Sequence, residues 1–251
     1  MFKTLIKNYR GFKRLPAFLL QINKNIQSNK EKLHEIHATE ILNSLSAKGS
    51  RYDALTTFSM MPSTIVHILN DIVINERRTI IEFGSGNSTI FVARLIHQLG
   101  LKIQFYSIDQ DKQWQVKIEE SLKAEGIADA VTFVYAPLKQ SEFQFKSQQA
   151  WYDADALQQV IGHKLFDLVI VDGPVASVIK HARYPALPFL KNNLAANKTI
   201  FLDDSNRVGE KEILAEWTRM LGADFQFAGR YSFCVQGSNL TTKPIFLKED
   251  E

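Results

Sequence analysis

The stretch Glu82-Phe83-Gly84-Ser85-Gly86-Asn87-Ser88-Thr89 decides how this chain is read. It closes a β-branched run, Thr79 to Phe83, that reads as a strand, and it opens a segment, Ser88 to Leu99, that reads as a helix. Glycines at such a junction let the backbone turn sharply and approach a ligand with no side chain between. A tight strand-to-helix turn without ligand would use the same residues, so the Gly-x-Gly alone leaves both readings open.

The next strand carries the second signal. Ile103 to Ile108 reads as a strand, and Asp109 at its end lies 25 positions after Gly84. That is near the offset of about 20 residues at which a carboxylate accepts hydrogen bonds from a ribose diol. Together the two features predict an adenosine-containing ligand. Thr89 stands where a nicotinamide dinucleotide fingerprint has its third glycine, which argues against NAD.

Strands and helices alternate beyond this point. Asp111 to Ala124 is predicted as helix, Val131 to Tyr135 as strand, Phe166 to Val171 as strand, and Ala176 to Leu194 as helix interrupted at Pro185 and Pro188. Thr199 to Leu202 then reads as strand and Glu210 to Leu221 as helix, and Asp224 to Ala228 with Tyr231 to Val235 reads as a hairpin turning at Gly229-Arg230. The expectation is an α/β, Rossmann-like, doubly wound and mostly parallel seven-stranded sheet. A C-terminal antiparallel hairpin would close it, and a helical extension would precede it.

The division predicted is residues 1–60 as a basic helical extension and 61–251 as the main domain. A loop with Gly49 separates the two, and a helix after Pro62 begins the core. Residues 1–50 hold nine Lys or Arg against three Glu. Phe2 to Ile41 is patterned as helix, broken near Gly11 and Pro16, with Phe2, Leu5, Ile6, Tyr9 and Phe12 on one stripe and basic residues on another. Two readings stand for it: a helix packing on protein, as a cap or a homodimer contact, or a peripheral contact with anionic membrane. The apolar run Leu15 to Ile22 is too short to span a bilayer, and no cleavage site follows it. Cys234 is the only cysteine, which excludes an internal disulfide and a cysteine-based zinc site and fits a cytoplasmic protein.

The residues that carry the ligand signals resemble the class I S-adenosylmethionine-dependent methyltransferases, whose first motif is an acidic residue followed by x-Gly-x-Gly. Glu82, Gly84 and Gly86 match it. The resemblance runs over about residues 79 to 237 as an order of elements. It implies S-adenosylmethionine as cofactor, held by Glu82, Gly84, Ser85, Gly86, Asp109 and Asp172, with Gly84 and Gly86 lining the methionine part and Asp109 the ribose. Asp167-Leu168-Val169-Ile170-Val171-Asp172-Gly173-Pro174 resembles the family's fourth-strand motif, which implies Asp172 as the catalytic residue at the methyl-transfer site. Where many members have a carboxylate for the adenine amine, this chain reads Ala136-Pro137-Leu138, so no adenine contact is assigned.

Methyl transfer to a hydroxyl gains from alignment and from a base or metal that helps remove the proton. Asp172, Asp203 and Asp204 resemble the Mg²⁺ site of catechol-type O-methyltransferases. The alternative is that these strand-end acids cap helices or pair with Arg183 and Arg207. His34, His37, His67, His97 and His163 show no partner pattern and are read as structural. Trp151-Tyr152-Asp153 reads as a loop that shapes a substrate pocket or an aromatic pair that covers the core. The expected reaction is O-methylation of a small molecule or sugar. Methylation of nucleic acid or protein is the alternative, although Asp172-Gly173-Pro174-Val175 replaces the Asn-Pro-Pro-Tyr motif used on base amino groups. A nonenzymatic nucleotide-binding module of the same fold is a third reading.

Overall fold

The computed structural model describes residues 2–46, 55–146, 148–175 and 180–244. The strands are β1 (Thr79–Phe83), β2 (Gln104–Asp109), β3 (Thr132–Tyr135), β4 (Leu138–Phe145), β5 (Gln148–Tyr152), β6 (Phe166–Val171), β7 (Leu194–Leu202), β8 (Gln226–Ala228) and β9 (Tyr231–Gln236). The helices are α1 (Phe2–Asn43), α2 (Pro62–Ile74), α3 (Asn87–Leu99), α4 (Lys112–Glu125), α5 (Ala154–Ile161), α6 (Ala186–Leu190) and α7 (Val208–Leu221).

Seven strands form one sheet in the order β3-β2-β1-β6-β7-β9-β8. The first five of these pair in parallel, with Ile81 opposite Tyr106 on one side and Val169 on the other. The C-terminal hairpin joins antiparallel, Ile200 facing Cys234. Strands buried on both faces need apolar residues at consecutive positions, and the sequence supplies them. Ile80, Leu168 and Ile170 face a core shared with α2, α3 and α4, while Ile81, Val169 and Val171 face a second core under α5, α6 and α7. The doubly wound expectation therefore holds, hairpin included.

Helix ends follow local chemistry. Asp111 caps α4 by accepting from the backbone N–H groups of Gln113 and Trp114, and Gly126 ends it in a left-handed conformation. The α2 start is capped from another helix: the Glu35 carboxylate of α1 accepts from Ser63 N at 3.1 Å and Ser63 Oγ at 2.6 Å. His67 of α2 is buried between Tyr231 Oη, 2.7 Å from Nδ1, and Thr242 Oγ1, 3.0 Å from Nε2. Burial lowers its pKa to about 4, so it is a neutral packing residue, as the sequence implied.

Three expectations need correction. α1 is one helix through Gly11 and Pro16, because good helix formers flank a proline that costs one backbone bond. The connection after β3 contains the β4–β5 hairpin and α5, which the sequence hides because Lys139 to Phe145 lacks β-branched residues. There Trp151 and Tyr152 lie in a strand and are buried, with the Trp151 ring against Phe83 and Phe189, and Asp153 caps α5. The long helix expected over 176–194 shortens to α6, with residues 176–179 outside those described, and β7 starts at Leu194 rather than Thr199. Gly49 of the expected loop likewise lies outside the described residues. Among the described residues no helix is long and apolar enough to cross a membrane.

Candidate active site at the sheet switch point

β1 is the strand from which the chain winds outward through β2 and β3 before crossing over to β6, so the ends of β1 and β6 flank the place where a doubly wound sheet opens. The turn after β1 and the turn after β6 touch there. Gly84 has φ +100°, and a Cβ on it would stand 2.8 Å from Gly173 N. Gly84 N donates to Ile108 O at 2.8 Å, and Gly173 N donates to Phe83 O at 2.6 Å. Glycine is required at both positions, since a Cβ on Gly173 would meet Gly84 Cα at 2.9 Å.

A cavity of about 430 Å³ opens above these turns, within the size range of small-ligand sites. Gly84, Ser85, Gly86, Asp109, Asp172 and Asp204 all line it. Among the described residues, no atom beyond its chain neighbours lies within 4 Å of where a Gly86 Cβ would stand, so the backbone there is bare toward the opening. Asp109 is buried and accepts from Ser85 N at 2.9 Å and Asp111 N at 2.7 Å. It therefore ties the glycine turn to the start of α4, and burial raises its pKa.

Glu82 sits elsewhere. It is fully buried below the turn and does not line the cavity; Ser88 Oγ, Thr89 Oγ1 and Ser107 Oγ donate to its carboxylate. Its contact is with the first turn of α3 and with β2. Burial pushes its pKa up to about 7 against the hydroxyl hydrogen bonds, which lower it. An acid whose folded pKa is raised contributes stability below its unfolded pKa and loses it as pH rises through the folded one. The loss runs from about pH 4.5 to about 7 and amounts to up to about 3 kcal/mol. Urea unfolding of Glu82→Gln should show a flatter pH dependence than the parent across that window, and equal slopes would contradict this assignment.

The acids at the strand ends are held by arginines. Arg183, buried, donates through Nη2 to Asp172 Oδ1 at 2.8 Å and Asp204 Oδ2 at 3.0 Å, and through Nη1 to Asp203 O at 2.7 Å. Asp204, with φ +55°, also accepts from Arg230 Nε at 2.6 Å and pairs with Arg207 at 2.8 Å. Asp203 is buried, and among the described residues none hydrogen-bonds its carboxylate, Arg230 being 3.5 Å away. Burial first, and then the neighbouring Asp204, raises its pKa to about 6. Burial likewise holds Asp172 well above the ordinary carboxylate range, Arg183 offsetting part of this.

Carboxylate oxygens of Asp172, Asp203 and Asp204 lie within 4.8 Å of one another, close enough for one cation. Both Asp204 oxygens are already taken by guanidinium groups, however, and three arginines surround the cluster. A divalent ion would have to displace them and sit beside their charge, so the donor set does not fit one.

Several lining residues carry no motif. Trp114 borders the cavity with its indole Nε1 donating to Ser85 O at 2.7 Å; its only sequence signal is its place one turn past Asp111. Thr56 to Met60 and Val175 also line it, Phe58, Met60 and Val175 being the apolar members, and Arg230 reaches in from the hairpin turn. His181, by contrast, is buried with a left-handed backbone, pairs with Glu212 and does not line the cavity.

Comparison with known proteins agrees with this architecture. A family model described as a methyltransferase domain matches residues 81–205, which spans the glycine turn, Asp109, Asp172 and the Asp203-Asp204 pair. No curated protein matches the chain significantly. Among solved structures, a Staphylococcus aureus protein assigned as a caffeoyl-CoA O-methyltransferase aligns with TM-score 0.57 at 13% identity, over 83% of this chain and 99% of its own. The O-methyltransferase TomG of Streptomyces achromogenes, in complex with SAM, aligns with TM-score 0.52 at 14% identity, over 73% and 84%. An O-methyltransferase of Bacillus cereus in complex with SAH aligns with TM-score 0.50 at 13% identity, over 81% and 90%. At these identities the neighbours speak for the fold, and the matched domain speaks for the family. With the switch-point cavity, they place this chain among the class I S-adenosylmethionine-dependent methyltransferases.

Proposed function

We propose that the enzyme methylates a hydroxyl oxygen of a small acceptor such as a phenol or sugar, with Asp172 as the catalytic residue. The observation that carries this is the convergence of the bare glycine turn, Asp109 and Asp172 on one cavity of about 430 Å³. The three structural neighbours named above are described as O-methyltransferases, which supports the same acceptor chemistry.

When bound, S-adenosylmethionine supplies a methyl group on a positively charged sulfur. The residues around the cavity suit such a group: Gly86 leaves room along the backbone, Gly84 lets the two turns meet, and Asp109 and Asp111 offer carboxylates beside it. Asp109 keeps lone pairs beyond the two that meet Ser85 N and Asp111 N, and these are the ones assigned to ribose hydroxyls. Glu82 acts from below, by fixing the α3 start. Trp114 is the aromatic surface available on the Asp109 side of the cavity, where the sequence offers no carboxylate for adenine.

Asp172 accepts from Arg183 through one oxygen, which fixes its carboxylate while the other remains to take the acceptor's proton. Its raised pKa suits a group that must bind a proton and give it back to water. Arg183, Arg207 and Arg230 supply positive charge near the developing alkoxide, which is the task a magnesium ion performs elsewhere. We therefore read the site as metal-independent. We also place the end of the N-terminal extension near Glu35 rather than at residue 60, because Ala38, Leu42 and Met60 belong to the main core.

The test is transfer of labelled methyl from S-adenosylmethionine to a panel of catechols, hydroxybenzoates and sugars, with EDTA or Mg²⁺ present. Turnover unchanged by EDTA is expected. Turnover restricted to added Mg²⁺ would overturn the arginine reading, and labelling only of amines or nucleic acid would overturn the acceptor class.

A further inference from the structure

We propose that α1 pairs with α1 of a second copy of this chain in a parallel, in-register coiled coil, making the protein a homodimer. The helix is 42 residues long, and among its described side chains those that dock on the main domain, Glu35, Ala38 and Leu42, lie in its last turns. The face turned away from that contact carries Leu19, Ile22, Ile26, Asn29, Leu33 and Ile36. These positions are spaced by strict alternation of three and four residues, the first and fourth places of a heptad. The five aliphatic ones are between 38% and 64% exposed. In the sequence the same alternation continues backward through Leu15, Phe12, Asn8 and Leu5.

The period identifies the occupant. A straight helix drifts by about 20° per heptad against a repeat of 3.5, so a seam that keeps this repeat winds left-handed around the helix. A supercoiled partner helix follows such a seam; a flat bilayer does not. Over the described side chains, Leu19 to Ile36, the seam is about 27 Å long, and on a helix about 10 Å across it projects roughly 270 Å² per copy. Interdigitated side chains bury more than their projection, and the same alternation in the sequence back to Leu5 would extend the contact toward the roughly 800 Å² per partner of a stable dimer.

Asn29 selects the arrangement. It occupies the fourth place of a heptad, between Ile26 and Leu33, where an apolar partner would leave its amide without a hydrogen bond. In a parallel pair without stagger each Asn29 faces its own copy, and Asn8 does the same in the sequence pattern. The flanking places hold Asn23, Asn25, Lys30 and Lys32 and no acid, so charge pairing does not favour an antiparallel copy.

Sedimentation velocity of the full chain tests this, with co-sedimentation on vesicles of phosphatidylcholine containing phosphatidylserine. The expected result is a species of twice the chain mass at low micromolar concentration. The double variant Ile22→Glu, Ile26→Glu is expected to sediment as a monomer while binding S-adenosylmethionine and unfolding like the parent. Asn29→Leu should tighten the dimer by about tenfold, since it replaces a buried polar layer. A parent that is monomeric at tens of micromolar, with or without vesicle binding, overturns the proposal, and so does a double variant that remains dimeric.

Discussion

Replacing Asp172 with asparagine is expected to lower kcat by roughly 10² to 10⁴-fold, the range for loss of a positioned general base. The affinity for S-adenosylmethionine should change by less than about threefold, since in this account the Asp172 carboxylate acts chiefly on the acceptor's proton. Asparagine preserves the shape and can still accept from Arg183 Nη2, but it cannot take a proton from the acceptor. The pH profile separates this role from a structural one. Burial raises the pKa of Asp172 and of its neighbour Asp203, so the cluster gains its base form as pH rises and kcat should climb on the acid side. In the variant the residual rate should lose that limb. A variant that keeps the parent's kcat, or the parent's acid limb, would remove Asp172 from the chemistry.

The second large effect is expected at Gly84. Alanine there adds a Cβ 2.8 Å from Gly173 N and 3.2 Å from Asp172 C, in a backbone conformation with φ +100° that side chains rarely adopt. The obstacle is backbone on both sides, so nothing flexible can yield. Strain of this kind costs about 1–3 kcal/mol by itself, and the forced separation of the two turns adds to it. The turn carries Ser85 N to Asp109 and borders Asp172, so the same change should abolish measurable binding of S-adenosylmethionine. Gly86→Ala is the informative contrast, because among the described residues its Cβ would meet no atom within 4 Å beyond its chain neighbours. It should fold with parental stability and weaken the ligand alone. Equal stability of the Gly84 variant and the parent would contradict the geometry.

How much of this was legible beforehand depends on the distance over which each signal acts. The glycine turn, Asp109 and Asp172 are read from strand ends and their spacing, because a doubly wound sheet sends consecutive strand ends to one edge. The terminal hairpin was legible for the same local reason, two short runs around Gly229-Arg230. What the sequence hid depends on partners far along the chain. Lys139 to Phe145 forms a strand because Trp151 and Tyr152 anchor the facing strand in the core, not because of its own composition. Arg183 and Arg207 were named as alternatives for pairing the acids, but Arg230 emerges from a hairpin turn and meets Asp204 only in three dimensions. Trp114 and the segment Thr56 to Met60 reach the cavity with no pattern to announce them. Glu82, a motif residue, turns out to hold the turn from below, a distinction no spacing can make.

The central claim is that the cavity between the ends of β1 and β6 takes S-adenosylmethionine. Calorimetric titration of the purified chain with S-adenosylmethionine, S-adenosylhomocysteine and NAD tests it most directly, with Asp109→Ala beside the parent. The account predicts that the first two bind and NAD does not, and that Asp109→Ala weakens both by about 100-fold, as expected for losing charge-assisted hydrogen bonds. Binding of NAD alone, binding of none of the three, or full affinity in Asp109→Ala would contradict it.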